Sequence, residues 1–129
     1  MGLDNGIVLK YRGDVNPPSY VRIEKYDEFE SNVEWEVCYW RKCHGIRDDI
    51  IGLLGGESDD SVYDLSIKDV ENIMDLMYET LKNPEDWRSP IWSFDEMINH
   101  LAREIVNLSW LLEFMQENPH ATAYFYDSY

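Results

Sequence analysis

Residues 32–54 read NVEWEVCYWRKCHGIRDDIIGLL, and the spacing of their apolar side chains changes once within this stretch. Up to position 39 apolar and polar residues alternate, which is the period of a half-buried strand. From Trp40 onward the apolar positions suit a helix that ends at Gly55-Gly56. The strand's alternation predicts two faces, one carrying Val33, Trp35, Val37 and Tyr39 and the other carrying Glu34, Glu36 and Cys38.

The residues before this stretch predict further strands. Residues 6–12 are β-branched and apolar, and they lead into the turn-forming sequence 16–19, NPPS. Residues 20–26 alternate again, which places Val21 and Ile23 on one face. We expect two or three antiparallel strands at this end of the chain.

The residues after this stretch predict two more helices. Ser66 with Asp69 has the spacing of a capping box, and the helix it opens stops before Asn83-Pro84. Ser93 with Glu96 opens a third helix over residues 94–117. The second half of this helix, residues 105–115, is apolar nearly all round, which indicates a central place in the core or a homodimer contact.

These patterns predict a single α+β domain over residues 1–129, with a small antiparallel sheet packed against three helices. The aromatic tail, residues 121–129, is β-prone and is expected to join the N-terminal strands in the sheet. Residues 57–65 are interpreted as an acidic connection. Gly45 and Gly52 lie on one helical face, which suggests close approach of another backbone; the alternative is that the helix frays there.

The net charge of the chain limits the classes of partner that it can bind. The chain carries 26 acidic and 11 basic residues, a net charge of −15, yet 44% of it is hydrophobic, so the charge covers a folded body. Such a body repels nucleic acid and anionic membranes and attracts basic surfaces. Cys38 and Cys43 are interpreted as reduced thiols, and no leader or membrane-spanning run occurs, so a cytoplasmic protein is expected.

Several short segments carry a family resemblance: residues 1–4 (MGLD), Glu36-Val37, residues 39–42 (YWRK) with Ile46, residues 63–66 (YDLS) and residues 124–129 (YFYDSY). In these the chain resembles a group of small uncharacterised proteins carried by phages and prophages. It departs from them at His44, where Asn is usual, and at Arg47, where His is usual. The resemblance implies a phage or bacterial origin and a cytosolic setting, and it implies no chemistry.

The segment 39–44, YWRKCH, is the one cationic island of the chain. Placed where a strand becomes a helix, it could hold a small anion or nucleotide-like ligand, with Asp4, Trp40, Arg41 and His44 as binding residues. The alternative is structural: Arg41 and Lys42 pair with nearby carboxylates and Trp40 belongs to the core.

Two acidic patterns resemble metal sites. Glu96, His100 and Glu104 form a ladder with a spacing of four residues on the third helix, but no Glu-x-x-His pair lies within the predicted helices. This ladder is interpreted as a solvated polar face. Asp59, Asp60 and Asp64 lack the spacing and the central Gly of a calcium-binding loop. No metal, cofactor or catalytic residue is therefore predicted.

The densest acidic region falls on the expected hairpin of the second and third strands. Carboxylates at the interval of backbone phosphates can occupy the nucleic-acid-binding groove of another protein. We therefore expect a non-enzymatic interaction protein of phage type, which inhibits a nucleic-acid-binding host protein such as a nuclease or defence factor. Plain solubility explains the same charge. The expected partner-binding residues are Glu24, Asp27, Glu28, Glu30, Glu34, Glu36, Glu57, Asp59 and Asp60.

Overall fold

The structure is a computed structural model that describes residues 4–13, 15–27, 32–41, 44–56, 61–83 and 93–128. Within these ranges the elements follow one another along the chain as β1 (Asp4–Arg12), β2 (Arg22–Asp27), β3 (Asn32–Arg41), α1 (His44–Leu54), β4 (Ser61–Leu65), α2 (Ile67–Lys82), α3 (Phe94–Glu117) and β5 (Thr122–Ser128).

The strands form one antiparallel sheet in the order β2-β3-β1-β5-β4. The last strand lies beside the first, with Ile7 opposite Phe125, so the predicted return of the aromatic tail to the sheet is confirmed. Ile7, Leu9 and Phe125 are fully buried in one cluster with residues of all three helices, among them Ile50, Ile73 and Leu108. The predicted α+β class is confirmed.

Strand β4 is absent from the sequence-based prediction, which placed an acidic connection over residues 57–65. The strand pairs with β5 at the edge of the sheet, and Leu65 is its buried residue. Val62 is 65% exposed, and the ring centre of Tyr63 lies 6.1 Å from that of Phe125. Pairing with β5, far along the chain, fixes this strand, and five residues show too little periodicity to reveal it.

The change from strand to helix comes later than predicted. Strand β3 continues through Trp40 to Arg41, and α1 begins at His44. A bulge between Ile7 and Val8 places Cys38 opposite Ile7 and Glu36 opposite Val8, so the strict alternation ends there. Val37 and Cys38 are therefore both buried, contrary to the predicted assignment to opposite faces.

The expectation for Val21 and Ile23 is also wrong. Val21 is buried, whereas Ile23 is 58% exposed. Val21 precedes β2, and the pairing of β2 with β3 shifts register between Ile23 and Lys25. The irregular backbone at both places removes the simple period on which the prediction relied.

Both predicted capping boxes are present. The hydroxyl of Ser66 accepts from the amide of Asp69 over 3.1 Å, and that of Ser93 accepts from the amide of Glu96 over 3.2 Å. In the apolar half of α3, Leu108 and Leu111 are fully buried within the domain, whereas Val106 is 53% exposed. The core interpretation therefore accounts for most of that apolar stretch.

The expectation of a close approach at Gly52 is wrong. A methyl group added there would meet no atom within 4 Å. Close approach occurs instead at Gly6 in β1, where an added Cβ would lie 2.5 Å from the carbonyl oxygen of Cys38 and 2.9 Å from the Tyr126 ring. Among the described residues, no helix combines the length and apolar character that crossing a bilayer requires.

Candidate functional site

The site forms where α3, in place of β2, contacts the edge of β3. Strand β2 pairs with β3 only as far as Glu36, so residues 37–41 extend beyond it. There the side chains of α3 reach the strand: Asn107 Nδ2 donates to the carbonyl oxygen of Val37 over 2.9 Å. His100 Nε2 lies 3.0 Å from the carbonyl oxygen of Tyr39. Side chains of a helix thus satisfy backbone groups that a neighbouring strand would otherwise satisfy.

A cleft of about 210 Å³ lies beside this contact. It is smaller than pockets for drug-sized ligands, which span about 300–1,000 Å³. Its size suits a few water molecules or a ligand group no larger than a side chain. We call it the Glu104 cleft, and its lining residues are Tyr20, Glu36, Val37, Tyr39, His100, Arg103, Glu104 and Asn107.

Glu104 is a buried carboxylate with one satisfied oxygen. The residue is 4% exposed, and its Oε1 lies 2.7 Å from His100 Nε2. Because that nitrogen faces two acceptors, Glu104 and the Tyr39 carbonyl, it carries the proton. The other oxygen, Oε2, is buried and has no hydrogen-bond partner among the described residues. Such an atom costs free energy unless another group satisfies it.

Asn107 carries a second buried acceptor without a described partner. Its Nδ2 is committed to the Val37 carbonyl, which fixes the orientation of the amide. Its Oδ1 is then an acceptor, and it is buried without a hydrogen-bond partner in the described part of the chain. Residues three apart on a helix are neighbours, with Cβ atoms about 5–6 Å apart. Two residues of the cleft lining therefore each carry an acceptor that is buried away from solvent.

The rim of the cleft carries an arginine stacked on a tyrosine. The Arg103 guanidinium carbon lies 4.7 Å from the ring centre of Tyr20, within range of a cation–π contact. Both residues are exposed. The cleft therefore opens to solvent between an aromatic ring and a cation.

The thiol of Cys38, which interacts with Glu104, is not a reactive nucleophile. Cys38 is 1% exposed, and burial, together with the negative charge of Glu104, raises its pKa well above the usual value. Since the thiolate is the reactive form, this thiol is inert at neutral pH. Among the described residues, no three His, Cys, Asp or Glu side chains could together hold a metal ion.

The structure describes only part of the predicted cationic segment, residues 39–44. Tyr39 lines the Glu104 cleft, and its hydroxyl donates to Asp4 Oδ1 over 2.8 Å. Trp40 is fully buried, which agrees with its alternative place in the core. The side chains of Arg41 and His44 lie outside the described part of the structure.

Of the predicted partner-binding residues, the side chains of Glu34 and Glu36 are described. Both are half-buried, and Glu34 accepts a hydrogen bond from the Tyr124 hydroxyl over 2.7 Å. Glu24 and Asp27 belong to β2, although their side chains are not described. The other five predicted residues lie outside the described residues altogether: Glu28, Glu30, Glu57, Asp59 and Asp60.

The interpretation of the Glu96, His100 and Glu104 ladder as a solvated face is wrong at its last member. Glu96 is exposed, but Glu104 is buried. The signal was present in the spacing, since Glu104 lies seven residues after Met97 and seven before Leu111, both buried on the core side of α3. Asn107, four residues before Leu111, falls on the same side.

Comparison with protein-family models, with curated proteins and with solved structures found no match. What the site can do therefore follows from its own residues.

Proposed function

We propose that this protein is a non-enzymatic binding protein whose acidic surface binds a basic surface of a partner protein. The observation that carries the proposal is a net charge of −15 on a folded chain of 129 residues. Exposed carboxylates lie on every helix, at Asp48 and Asp49 of α1, Asp75 and Glu79 of α2, and Asp95, Glu96, Glu113 and Glu117 of α3. Such a surface accelerates association with a basic partner.

The chemistry of the charge favours a partner that itself binds nucleic acid. A groove built for phosphates carries lysine and arginine, and carboxylates can displace nucleic acid from it with the same release of counterions. Acidic residues occur on both strands of the β2–β3 hairpin, Glu24 and Asp27 on β2 and Glu34 and Glu36 on β3. The resemblance to phage proteins supports a host nuclease or defence protein as the partner and the host cytoplasm as the location.

The first test is capture followed by competition. The immobilised chain is incubated with a nuclease-treated bacterial extract, and each captured protein is purified and titrated with labelled DNA in the presence of the chain. We expect the chain to displace DNA. Binding should also be lost at about 0.5 M salt, where screening shortens to a few ångströms. Captured proteins that bind the chain and DNA simultaneously would contradict the proposed inhibition.

A matched pair of variants locates the binding surface. One variant neutralises four carboxylates of the hairpin region, with the substitutions E24Q, D27N, E28Q and E30Q. The other neutralises four carboxylates on helices α2 and α3, with the substitutions D75N, E79Q, E113Q and E117Q. Both variants change the net charge equally, so any difference between them reports the location of the binding surface. We expect the hairpin variant to lose at least about tenfold more affinity for the partner than the helix variant and to show a flatter salt dependence. Equal losses would mean that only overall charge matters.

A further inference from the structure

We infer that a cleft at the end of β1 binds the phosphate group of a small molecule. The cleft has a volume of about 320 Å³, and its lining residues are Lys10, Tyr11, Arg12, His120 and Thr122. We call it the Lys10 cleft. The inference goes beyond the proposed function and does not depend on it, because it concerns a basic cleft and a small anion.

The lining of the Lys10 cleft is basic, although the chain is strongly acidic. The chain carries 26 acidic and 11 basic residues, yet the described lining contains a lysine, an arginine and a histidine and no carboxylate. The pairing of β1 with β5 brings this set together, since Lys10 lies opposite Thr122 although the two are 112 positions apart. Arg12 follows Lys10 by two residues and so lies on the same face of the strand.

The wall of the cleft that carries His120 is held in place by Asn118. The Asn118 side-chain amide donates to the Phe114 carbonyl oxygen over 2.9 Å, and the main-chain carbonyl of Asn118 accepts from the Ala121 amide over 2.9 Å. The Tyr11 hydroxyl donates to Asn118 Oδ1 over 3.1 Å, and its ring centre lies 5.0 Å from that of Phe114. The turn before β5 is thus bound to both α3 and β1, so the cleft is formed before a ligand arrives.

The basic side chains of the lining supply hydrogen-bond donors. Lys10 and Arg12 are exposed and carry an ammonium and a guanidinium group, and the exposed His120 ring has an N–H donor in either protonation state. Neither Lys10 nor His120 forms an ion pair with another described residue. Glu34 lies opposite Lys10 on β3, and its Oε1 accepts from the Tyr124 hydroxyl.

A phosphate group matches these donors. A phosphate ester carries a charge of about −1.5 to −2 at pH 7 and three strong acceptor oxygens, and hydrogen bonds between charged partners are about twice as strong as neutral ones. The volume of about 320 Å³ lies at the lower end of ligand pockets, so it accommodates phosphate with a short organic stem. A long nucleic acid would instead meet the net charge of −15 beyond the cleft and be repelled.

The group can come from two sources, free phosphate ion or a phosphate ester, and titration of the purified chain distinguishes them. The probes are inorganic phosphate and glycerol 3-phosphate at constant ionic strength, with glycerol and sodium chloride as controls. NMR follows the backbone amides of residues 10–12 and 120–122 and the ring protons of His120. Saturable shifts with phosphate or its ester support the inference, and the tighter probe identifies the source. No saturable shift with either probe, or equal shifts with sodium chloride, would overturn it.

A matched pair of lysine variants tests the assignment to the cleft. Lys10→Gln removes a charged donor from the lining and should weaken phosphate binding at least about tenfold. Lys68→Gln removes the same charge from an exposed position of α2, where Lys68 lies 3.6 Å from Glu71, and should change binding less than about twofold because salt screens distant charges. Equal effects of the two variants would show that only the net charge matters and would overturn the inference.

His120→Ala tests the opposite wall of the cleft. It removes a donor from the turn before β5 and should weaken phosphate binding a few-fold. Because Lys10 and His120 are exposed, both variants should keep the fold, which circular dichroism checks. Unchanged phosphate binding in both variants would overturn the inference. The outcome is separable from the proposed function, because these titrations use small anions and vary basic residues, whereas the partner experiments vary carboxylates.

Discussion

Arg47 of α1 and Asp127 of β5 form a bidentate ion pair inside the domain. Arg47 Nε lies 2.7 Å from Asp127 Oδ1, and Nη2 lies 2.8 Å from Oδ2. The two side chains are 3% and 0% exposed, and Asn5 Nδ2 approaches the same carboxylate at 3.4 Å. Hydrogen bonding to Asp127 raises the pKa of Arg47. Two buried charges thus join the first helix to the last strand.

Removing Arg47 should destabilise the fold strongly. Arg47→Met leaves the Asp127 carboxylate buried without its cation, and breaking one partner of a buried pair costs about 3–5 kcal/mol. Urea unfolding measures the loss. The double variant Arg47→Met with Asp127→Leu removes both charges, and we expect it to recover most of that stability.

A surface pair provides the comparison. Lys82 lies 3.1 Å from Glu79 on α2, and its side chain is 69% exposed. Lys82→Met should cost less than about 1 kcal/mol, because water and salt screen exposed pairs. An Arg47→Met variant no less stable than Lys82→Met would show that the buried pair does not support the fold.

Local signals in the sequence predict α2 and α3 well. Ser66 with Asp69, and Ser93 with Glu96, determine where each helix begins through contacts only three residues apart. Strand β4 and the bulge opposite Cys38 depend instead on pairing with distant strands. Such pairing leaves little trace in a single short segment.

The candidate site was predicted only in part for the same reason. The buried Arg47–Asp127 pair, which lies outside the Glu104 cleft, was not predicted either, because its residues are 80 positions apart. Glu104 and Asn107 are polar residues on the core side of α3, and their purpose appears only when α3 lies against the exposed edge of β3. Tyr39 lines the Glu104 cleft and belongs to the cationic segment, but it was not among the predicted binding residues.

Two glycine substitutions should change stability in opposite directions. Gly6→Ala places a methyl group 2.5 Å from the Cys38 carbonyl oxygen, and overpacking of this kind costs about 1–3 kcal/mol. Gly52→Ala meets no atom within 4 Å and lies inside α1, so it should stabilise the fold by about 1 kcal/mol. Thermal and urea unfolding of both variants provide the measurement. Effects of the same sign would contradict the described packing of β1 against β3.

Burial of Cys38 should make stability fall at alkaline pH. Burial raises the pKa of the folded-state thiol well above its usual value, so above about pH 8.5 only the unfolded state loses this proton. The folded state is then disfavoured by about 1.4 kcal/mol for each pH unit between the two pKa values. This contribution is absent below the unfolded pKa.

The measurement compares urea unfolding at about pH 7.5 and about pH 9.5, on either side of the ordinary thiol pKa. Cys38→Ala should reduce the alkaline loss of stability, whereas Cys43→Ala, which removes the other thiol of the chain, should retain it. If Cys38→Ala loses as much stability over this interval as the native chain, the folded-state thiol titrates normally.

Asn107 should stabilise the fold by completing the hydrogen bonding of β3. Asn107→Ala leaves the Val37 carbonyl without the donor 2.9 Å away, and an unsatisfied buried acceptor costs about 1–3 kcal/mol. Asn99→Ala on the exposed side of α3 is the matched control and should change stability by less than about 0.5 kcal/mol. Amide hydrogen exchange of residues 37–41 should also accelerate in Asn107→Ala alone, because α3 then holds the strand edge less firmly. Unchanged exchange with unchanged stability would mean that water replaces the amide at no cost, and that α3 is not needed to complete the strand edge.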